Sequence, residues 1–254
     1  MKIKHLGSGI VLIEDLLSQD QLSLIDFNKI KSKCTPQGYV KVDGKDVMEG
    51  GYVIPAKDLS TMPIRYKQGI EDFLFYQIID EAIYRGSVEY CALFPVSVES
   101  ITNVIGKHFV MYLPGGSMGI HSDSSLAYKA ETVEPVSTIA LGNTVTVSVV
   151  LNDQFEGGSI NFRTWDIKIS PKAGSALFYP SSYIGAHEVS EVTSGVRWIF
   201  LATLAHGDVS FVTQYPQIEK YAERYDWTMK FKEDIRKKLN TKQENLNNFQ
   251  KKVF

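Results

Sequence analysis

Apolar and polar residues follow two different patterns on either side of Pro95. Before it, apolar residues recur at helical spacing in 18–31 and 66–84, and 9–17 has the pattern of a short strand that runs into a turn. The segment 35–62 is rich in Gly, Lys and Asp and has no sustained period, which predicts a long loop in which Tyr39, Val40 and Tyr52 could form short strand pieces. The N-terminal part should therefore be mainly helical.

After Pro95 the pattern is that of short strands separated by turn signals such as Pro-Gly-Gly, Asn-Asp and Ser-Gly. Several strands spaced in this way predict an antiparallel sandwich or barrel. Helices followed by strands indicate an α+β, mainly β fold, with N-terminal helices packed on one outer face and a helical C-terminal tail over 215–254. The predicted strands are 105–113, 145–151, 159–162, 167–169, 176–179, 187–192 and 196–204.

Composition narrows the class of protein. Of the 254 residues, 44% are hydrophobic and 22% are charged, which is typical of a globular protein. The net charge is only -2, so we expect no nucleic-acid partner. Cys34 and Cys91 form no Cys-x-x-Cys pair, which argues against zinc ribbons and thioredoxin-like chemistry. The apolar run 10–13 is too short for a signal peptide, and no stretch is long enough to span a bilayer, so we expect a cytoplasmic protein without membrane contact.

The candidate metal ligands come from two distant parts of the region of predicted strands. His121 and Asp123 are separated by one residue, so on an extended chain both side chains project to the same side. His187, from a distant strand, would complete a facial triad of two imidazoles and one carboxylate. Such a triad leaves about half of the coordination sphere open, as non-haem iron oxygenases require.

Arg197 follows His187 by ten residues, inside a predicted strand. A guanidinium can grip the distal carboxylate of 2-oxoglutarate with two parallel hydrogen bonds, which a lysine cannot do. Tyr112 could donate its hydroxyl to the same carboxylate, and Thr146 is a further candidate for this contact. The pattern thus predicts a metal triad together with an anion-binding arginine.

Each of these residues also has an ordinary structural interpretation. His121 and Asp123 could be a polar pair in a Gly- and Ser-rich surface turn, and His187 a strand-end histidine bonded to a backbone carbonyl. Arg197 could form a surface ion pair, but the neighbouring residues 196 and 198–200 are apolar and favour burial, where a guanidinium needs an anion. Tyr112 could simply belong to the core.

The sequence resembles the prolyl-4-hydroxylase-like family of Fe(II)- and 2-oxoglutarate-dependent dioxygenases. Besides the candidate ligands, 151–162 (LNDQFEGGSINF) is similar to the strand, turn and Gly-Gly strand of the family, and 171–178 (PKAGSALF) to its Pro-Lys-x-Gly element. Some members carry lysine where Arg197 stands. The resemblance covers 101–204 well and 1–100 only in outline, and it implies a double-stranded β-helix, or jelly roll, whose open mouth holds the metal.

The resemblance implies a single oxygenase domain over 1–254: N-terminal helical support in 1–100, a catalytic core in 101–206 and a helical extension in 207–254. It also implies Fe(II), 2-oxoglutarate as co-substrate, and ascorbate as an accessory cofactor. The expected reaction hydroxylates an unactivated C–H bond, foremost that of a peptidyl proline, with succinate and carbon dioxide as co-products. We expect a peptide, protein or small-molecule substrate, covered by the loop 124–142.

Three alternatives stay open at this point. The substrate could be a free amino acid or a small metabolite, because one fold supports many functions. The chain could be a metal-binding jelly roll that acts as an interaction module without turnover. It could also be a cupin-like enzyme that uses another metal and no co-substrate, which would leave Arg197 without a role.

Overall fold

A computed structural model describes nine segments of the chain. They are residues 1–33, 35–36, 39–42, 45–48, 64–66, 74–101, 103–123, 142–206 and 229–243. The predicted loop 124–142, apart from its last residue, lies outside the described residues, as do most of the predicted loop 35–62 and the tail on either side of 229–243.

Eight strands form the larger of two opposed sheets, in the order β1-β2-β13-β9-β16-β7-β6-β3. All of the pairings between them are antiparallel. These strands are β1 (Lys2–Gly7), β2 (Ile10–Glu14), β3 (Thr35–Pro36), β6 (Ile64–Tyr66), β7 (Asn103–Tyr112), β9 (Gly142–Val150), β13 (Ala176–Pro180) and β16 (Arg197–His206).

A smaller sheet of four strands has the order β12-β11-β14-β8. The pairs β10-β15 and β4-β5 form two further two-stranded sheets. Antiparallel strands that are distant in sequence pair in both sheets, as in a jelly roll. The strands are β4 (Tyr39–Val42), β5 (Lys45–Met48), β8 (Met118–His121), β10 (Phe155–Gly157), β11 (Ile160–Phe162), β12 (Ile167–Ile169), β14 (His187–Val189) and β15 (Val192–Gly195).

Alternation along the strands of the larger sheet divides the buried residues into two clusters. On the outer face, β9 contributes Val145, Val147 and Val149 to a cluster that packs against the helices. On the inner face, Tyr112, Tyr179 and neighbouring apolar residues pack between the two sheets. The inner face also carries buried polar residues, which is the first indication that a site lies inside the roll: His108, Thr146, Ser148 and Arg197.

Four helices lie in the described part of the chain: α1 (Gln19–Leu22), α2 (Phe27–Lys33), α3 (Leu74–Leu93) and α4, which covers residues 229–243. Phe75, Ile79 and Ile83 place one face of α3 in the outer cluster, and Phe231 adds α4 to it. The predicted layout of helices on one outer face and a helical C-terminal segment is thereby confirmed. No described helix is long and apolar enough to cross a membrane.

Some predicted boundaries were wrong. The single helix expected over 18–31 is two short helices. The first, capped by Ser18, ends at Leu22, and the second begins at Phe27. The helix expected over 66–84 is described as Leu74–Leu93 and extends beyond the predicted end, whereas Tyr66 belongs to β6 and 67–73 lie outside the described residues. Part of the segment 35–62 forms strands, including the β4–β5 hairpin with Val40 opposite Val47, and the strand pieces expected at Tyr39 and Val40 lie in β4. The strand β8, which carries His121, was not predicted separately, and the strand expected over 187–192 ends at Val189.

Candidate functional site

A cavity lies between the two sheets and opens to solvent. Its walls are mostly the inward-facing side chains of β7 and β16 from the larger sheet and of β8 and β14 from the smaller one. They combine apolar surface with a few convergent polar groups, as ligand sites commonly do. The lining residues are Val110, Tyr112, Met118, His121, Asp123, Ser148, Ile160, Tyr179, His187, Val189, Arg197, Ile199 and Leu201.

The three predicted metal ligands meet at this cavity. His121 and His187 are directly opposite each other in the β8–β14 pairing, and their ring centroids are 4.4 Å apart. Asp123 follows the end of β8, with Oδ1 at 3.5 Å from His121 Nε2. One ligand atom from each of the three residues lies within 4.8 Å of the other two. The arrangement is compact enough for one metal ion.

Both imidazoles are oriented by the backbone in the same way. His121 Nδ1 is 2.8 Å from the carbonyl oxygen of Gly119, and His187 Nδ1 is 3.0 Å from that of Gly185. A proton on Nδ1 that is donated to a carbonyl leaves Nε2 as the metal-binding nitrogen, an arrangement frequent among metal-ligating histidines. In both cases the carbonyl belongs to the residue two positions before the histidine.

The charge states also suit a metal. Burial by itself would raise the pKa of Asp123, but the hydrogen bond from His121 and the nearby imidazoles lower it to about 2. Burial lowers the pKa of His187, and the opposing influence of Asp123 does not reverse that direction. Near neutral pH the carboxylate is therefore charged and the His187 imidazole is neutral. Metal ligands need these protonation states.

Arg197 lies on the same inner surface, with only 1% of its surface exposed. It is opposite Tyr112 in the β16–β7 pairing, and its Cζ lies 5.1 Å from the centre of the Tyr112 ring. Its Nη1 is buried and has no hydrogen-bond partner within the described segments. Burial lowers the pKa of Arg197, yet a guanidinium stays protonated in proteins. A buried, incompletely paired cation is a ready site for an anion.

Gly158 gives the Arg197 side chain its space. A Cβ atom on Gly158 would lie 2.7 Å from Arg197 Cδ, closer than real Cβ atoms approach their neighbours, and the φ of Gly158 is +61°. Glycine meets both requirements, since it has no Cβ atom and adopts positive φ readily. The second glycine of the Gly-Gly pair in the sequence thus packs directly against the predicted anion-binding residue.

We therefore expect Gly158→Ala to displace Arg197 and weaken 2-oxoglutarate binding, by roughly 10-fold or more for a loss of about 1.4 kcal/mol. Calorimetric titration of the metal-loaded protein measures this affinity. Gly115→Ala is the matched control, because Gly115 also has positive φ, +86°, but a Cβ there would meet nothing within 4 Å. Equal affinities in the two variants would show that Gly158 does not hold Arg197 in place.

The remaining sequence candidates have other surroundings. Thr146 is buried and is not part of the cavity wall, its hydroxyl lies 2.9 Å from that of Ser181, and a hydrogen bond from Thr146 is one of the causes that lower the pKa of Asp123. Its assignment to 2-oxoglutarate stays a prediction. Two residues were not identified from the sequence as part of the site: Tyr179 of the cavity wall, whose hydroxyl is 3.4 Å from His187 Nε2, and Gly158, which packs against Arg197. Tyr179 lies eight residues before His187 in a predicted apolar strand, where a core interpretation was the natural one.

Residues 107–203 match the family model of the 2OG-Fe(II) oxygenase superfamily. The matched region contains all three predicted metal ligands and Arg197. The chain carries a 2OG-Fe(II) oxygenase domain. The predicted class, a 2-oxoglutarate-dependent non-haem iron dioxygenase, is thereby confirmed. A search of curated proteins gave no match.

Solved structures similar to this oxygenase include prolyl hydroxylases. The viral collagen prolyl hydroxylase from Paramecium Bursaria Chlorella virus-1, in its 2-oxoglutarate complex, is 17% identical, with a TM-score of 0.51 over 80% of this chain and 98% of that one. A prolyl hydroxylase from Trichoplax adhaerens, in complex with a hypoxia inducible factor peptide fragment, is 15% identical, with a TM-score of 0.54 over 83% and 88%. At these identities the likeness shows the fold, and it confirms the predicted double-stranded β-helix.

Fe(II) and 2-oxoglutarate, which the oxygenase family implies, fit the residues present. The cavity offers a buried Asp123 oxygen, Oδ2, and Arg197 Nη1, neither of which has a hydrogen-bond partner in the described segments. The Asp123 carboxylate is an anion that can bind a metal ion, and the Arg197 guanidinium is a cation that can bind a dicarboxylate. Leaving such groups buried and unpaired is costly, so both are expected to have ligands in the working protein.

Proposed function

We propose that His121, Asp123 and His187 bind Fe(II) and that Arg197 binds the distal carboxylate of 2-oxoglutarate, so that the oxygenase hydroxylates a C–H bond of a peptidyl proline. The observation that carries this proposal is the presence of the ligand cluster and of the buried guanidinium on the walls of one cavity. A cupin-like enzyme without a co-substrate would not need the arginine.

The three ligands would hold the metal from one side of its coordination sphere. Iron(II), when bound there, couples the reduction of dioxygen to the oxidative decarboxylation of 2-oxoglutarate and the hydroxylation of the substrate. The backbone carbonyls of Gly119 and Gly185 fix the two imidazole rings, and the short His-x-Asp spacing fixes the carboxylate beside them. Binding therefore requires little rearrangement of the ligands.

Arg197 would orient the co-substrate from the opposite side of the cavity. Its partly unpaired guanidinium can form a bidentate pair with a carboxylate. The Tyr112 ring, which packs against this guanidinium, restricts its position, and the Tyr112 hydroxyl is our candidate second donor. Apolar neighbours such as Val110 and Ile199 limit the access of water, which strengthens the ionic contact.

A peptide substrate is supported by the nature of the similar structures and by the surface beside β14. One similar enzyme is described as a collagen prolyl hydroxylase and another is bound to a peptide fragment. In this chain, Tyr183 and Trp165 expose aromatic surface. Trp165 Nε1 donates a hydrogen bond to the carbonyl of Ile184, which connects the segment of Trp165 to that of Tyr183. Tyr183 is four residues from His187, so an extended chain could contact these rings as it enters the cavity.

The test is succinate formation from 2-oxoglutarate by anaerobically iron-loaded protein that is then given oxygen and ascorbate. We expect proline-containing peptides to stimulate turnover, with one hydroxyl group added to a peptide per succinate formed, as measured by mass spectrometry. The Asp123→Ala protein, treated identically, controls for uncoupled background. Stimulation by free amino acids or small metabolites alone would contradict the peptidyl-proline assignment and keep the oxygenase. If the iron-loaded protein bound no 2-oxoglutarate, the co-substrate assignment would be wrong.

A further inference from the structure

Tyr179 lies next to the candidate metal ligands on the wall of the cavity. It belongs to β13, opposite Thr146 of β9, and it is among the largest fully buried side chains. Its ring contacts the rings of Phe162 and His187 edge to face, with centroid distances of 5.2 and 4.8 Å. These contacts fix the ring, so the direction of its hydroxyl group is fixed as well.

The hydroxyl of Tyr179 is 3.4 Å from Nε2 of His187. Since Nδ1 of that imidazole faces the carbonyl of Gly185, Nε2 is the atom with a free lone pair, and it accepts this hydrogen bond. Under the proposed function the same lone pair binds the metal. A metal ion at Nε2 therefore removes the acceptor of the Tyr179 hydroxyl, and a fully buried donor without an acceptor is costly.

Asp123 offers the replacement acceptor. Its Oδ2 atom is buried and has no hydrogen-bond partner in the described part of the chain. A tyrosine hydroxyl carries its proton near neutral pH, so toward a carboxylate the Tyr179 hydroxyl can only act as a donor. Asp123 and Tyr179 both line the cavity beside His187, and their hydrogen-bonding needs are complementary.

We propose that Tyr179 is a positioning residue of the metal centre, whose hydroxyl donates to the Asp123 oxygen that does not bind the metal. The inference rests on the proposed function, because it takes His121, Asp123 and His187 as the ligands. With this hydrogen bond, Asp123 is held as a ligand through one oxygen, and a coordination position stays open. Partners that orient metal ligands in this way typically contribute about 10- to 100-fold to metal affinity or activity.

The test compares Tyr179→Phe with wild type in equilibrium titrations with Co(II) alone, under conditions where the metal-free proteins have the same melting temperature. The substitution removes only the hydroxyl and keeps the ring contacts with Phe162 and His187. We expect Co(II) affinity to fall roughly 10- to 100-fold. Tyr90→Phe is the matched control, because it removes a buried tyrosine hydroxyl that donates to the carbonyl of Gly9 outside the cavity, and we expect its Co(II) affinity to equal that of wild type.

A second measurement separates positioning of Asp123 from a general effect on packing. The visible absorption of bound Co(II) reports its coordination number. If Tyr179 restrains Asp123, the released carboxylate in Tyr179→Phe can bind through both oxygens, and the absorption should weaken as the coordination number rises. An unchanged affinity together with an unchanged spectrum would overturn the inference. If Tyr179→Phe failed to fold, the wild-type tyrosine absorption would be followed instead during Co(II) titration, and the absence of any change there would overturn it.

Failure of this inference can be distinguished from failure of the proposed function. His187→Ala should lose Co(II) binding whatever Tyr179 does. If His187→Ala bound Co(II) as wild type does, the ligand set would be wrong and the role of Tyr179 would fail with it. If His187→Ala lost the metal while Tyr179→Phe kept wild-type affinity and spectrum, the ligand set would stand and only the role of Tyr179 would be refuted.

Discussion

Asp123→Ala is expected to reduce 2-oxoglutarate turnover to the level of the protein without metal, and to weaken Fe(II) binding by more than the roughly 100-fold that loss of an outer partner causes. The carboxylate is the only anionic member of the triad, and its pKa of about 2 shows how strongly its surroundings favour the charged form. Without it, two neutral imidazoles would remain, whose affinity for a divalent ion is far lower. Anaerobic Fe(II) titration and succinate formation measure the two effects.

The expected loss should be specific to the triad. His121→Ala and His187→Ala should behave as Asp123→Ala does. His206→Ala is the matched control, because His206 is an exposed histidine at the end of β16, where its Nδ1 is 3.4 Å from the Thr144 hydroxyl. Turnover by any of the three triad variants at the rate of wild type would refute the ligand assignment. Loss of turnover in His206→Ala would indicate that histidine replacement disturbs the fold in general.

The local part of the site could be predicted from the sequence because it depends on strand geometry alone. His121 and Asp123 are two positions apart, so alternation along an extended chain brings them to one side. The partner from a distant strand is another matter. His187 meets His121 because β14 pairs with β8 in a particular register, and Arg197 meets Tyr112 through the register of β16 with β7. Without the family resemblance, neither register could be derived from a single sequence.

Tyr179 and Gly158 escaped prediction for a related reason. Tyr179 follows Leu177 and Phe178 in an apolar run, where an aromatic residue normally signifies core packing, and it does pack in the core with its ring. Only the position of its hydroxyl relative to His187 shows a possible role at the metal. Gly158 belongs to a Gly-Gly turn signal, and its contact with Arg197 depends on tertiary structure. A sequence pattern gives the type of residue but not its neighbours.

The extension of α3 beyond its predicted end has a simple physical cause. The helix extends to Leu93, but its second half carries Gly86 and Ser87 on the buried side, which interrupts the apolar pattern. A Cβ on Gly86 would lie 2.5 Å from the Phe178 ring, so the sheet packs directly against the helix backbone there. The Ser87 hydroxyl is satisfied by the carbonyl of Ile83 within the helix. Close packing of helix on sheet thus removed the signal on which the prediction relied.

Arg197→Ala is expected to weaken 2-oxoglutarate binding by about 2–5 kcal/mol, the cost of removing one partner of a buried, hydrogen-bonded charge pair, which corresponds to roughly 30- to several thousand-fold. Metal affinity measured without 2-oxoglutarate should stay within about 2-fold of wild type, because Arg197 is not a ligand. Arg163→Ala is the matched control, since this exposed arginine forms an ion pair with Glu188 at 2.7 Å, and exposed pairs contribute little. Calorimetric titration of the Mn(II)-loaded proteins with 2-oxoglutarate measures the co-substrate affinity, and titration of the metal-free proteins with Mn(II) measures the metal affinity.

Removal of the Arg197 charge should weaken ligand binding but should not lower the stability of the ligand-free protein. In the protein without co-substrate, Arg197 keeps a buried charge with an unpaired Nη1, so the fold bears the cost of its desolvation. Arg197→Met keeps much of the volume and removes the charge, and we expect the melting temperature of the ligand-free protein to be equal to or higher than that of wild type, while stabilisation by added 2-oxoglutarate is lost. A lower melting temperature with undiminished stabilisation by 2-oxoglutarate would mean that Arg197 supports the fold and leaves the anion to another residue. The two measurements together decide whether the buried guanidinium is there for the structure or for its ligand.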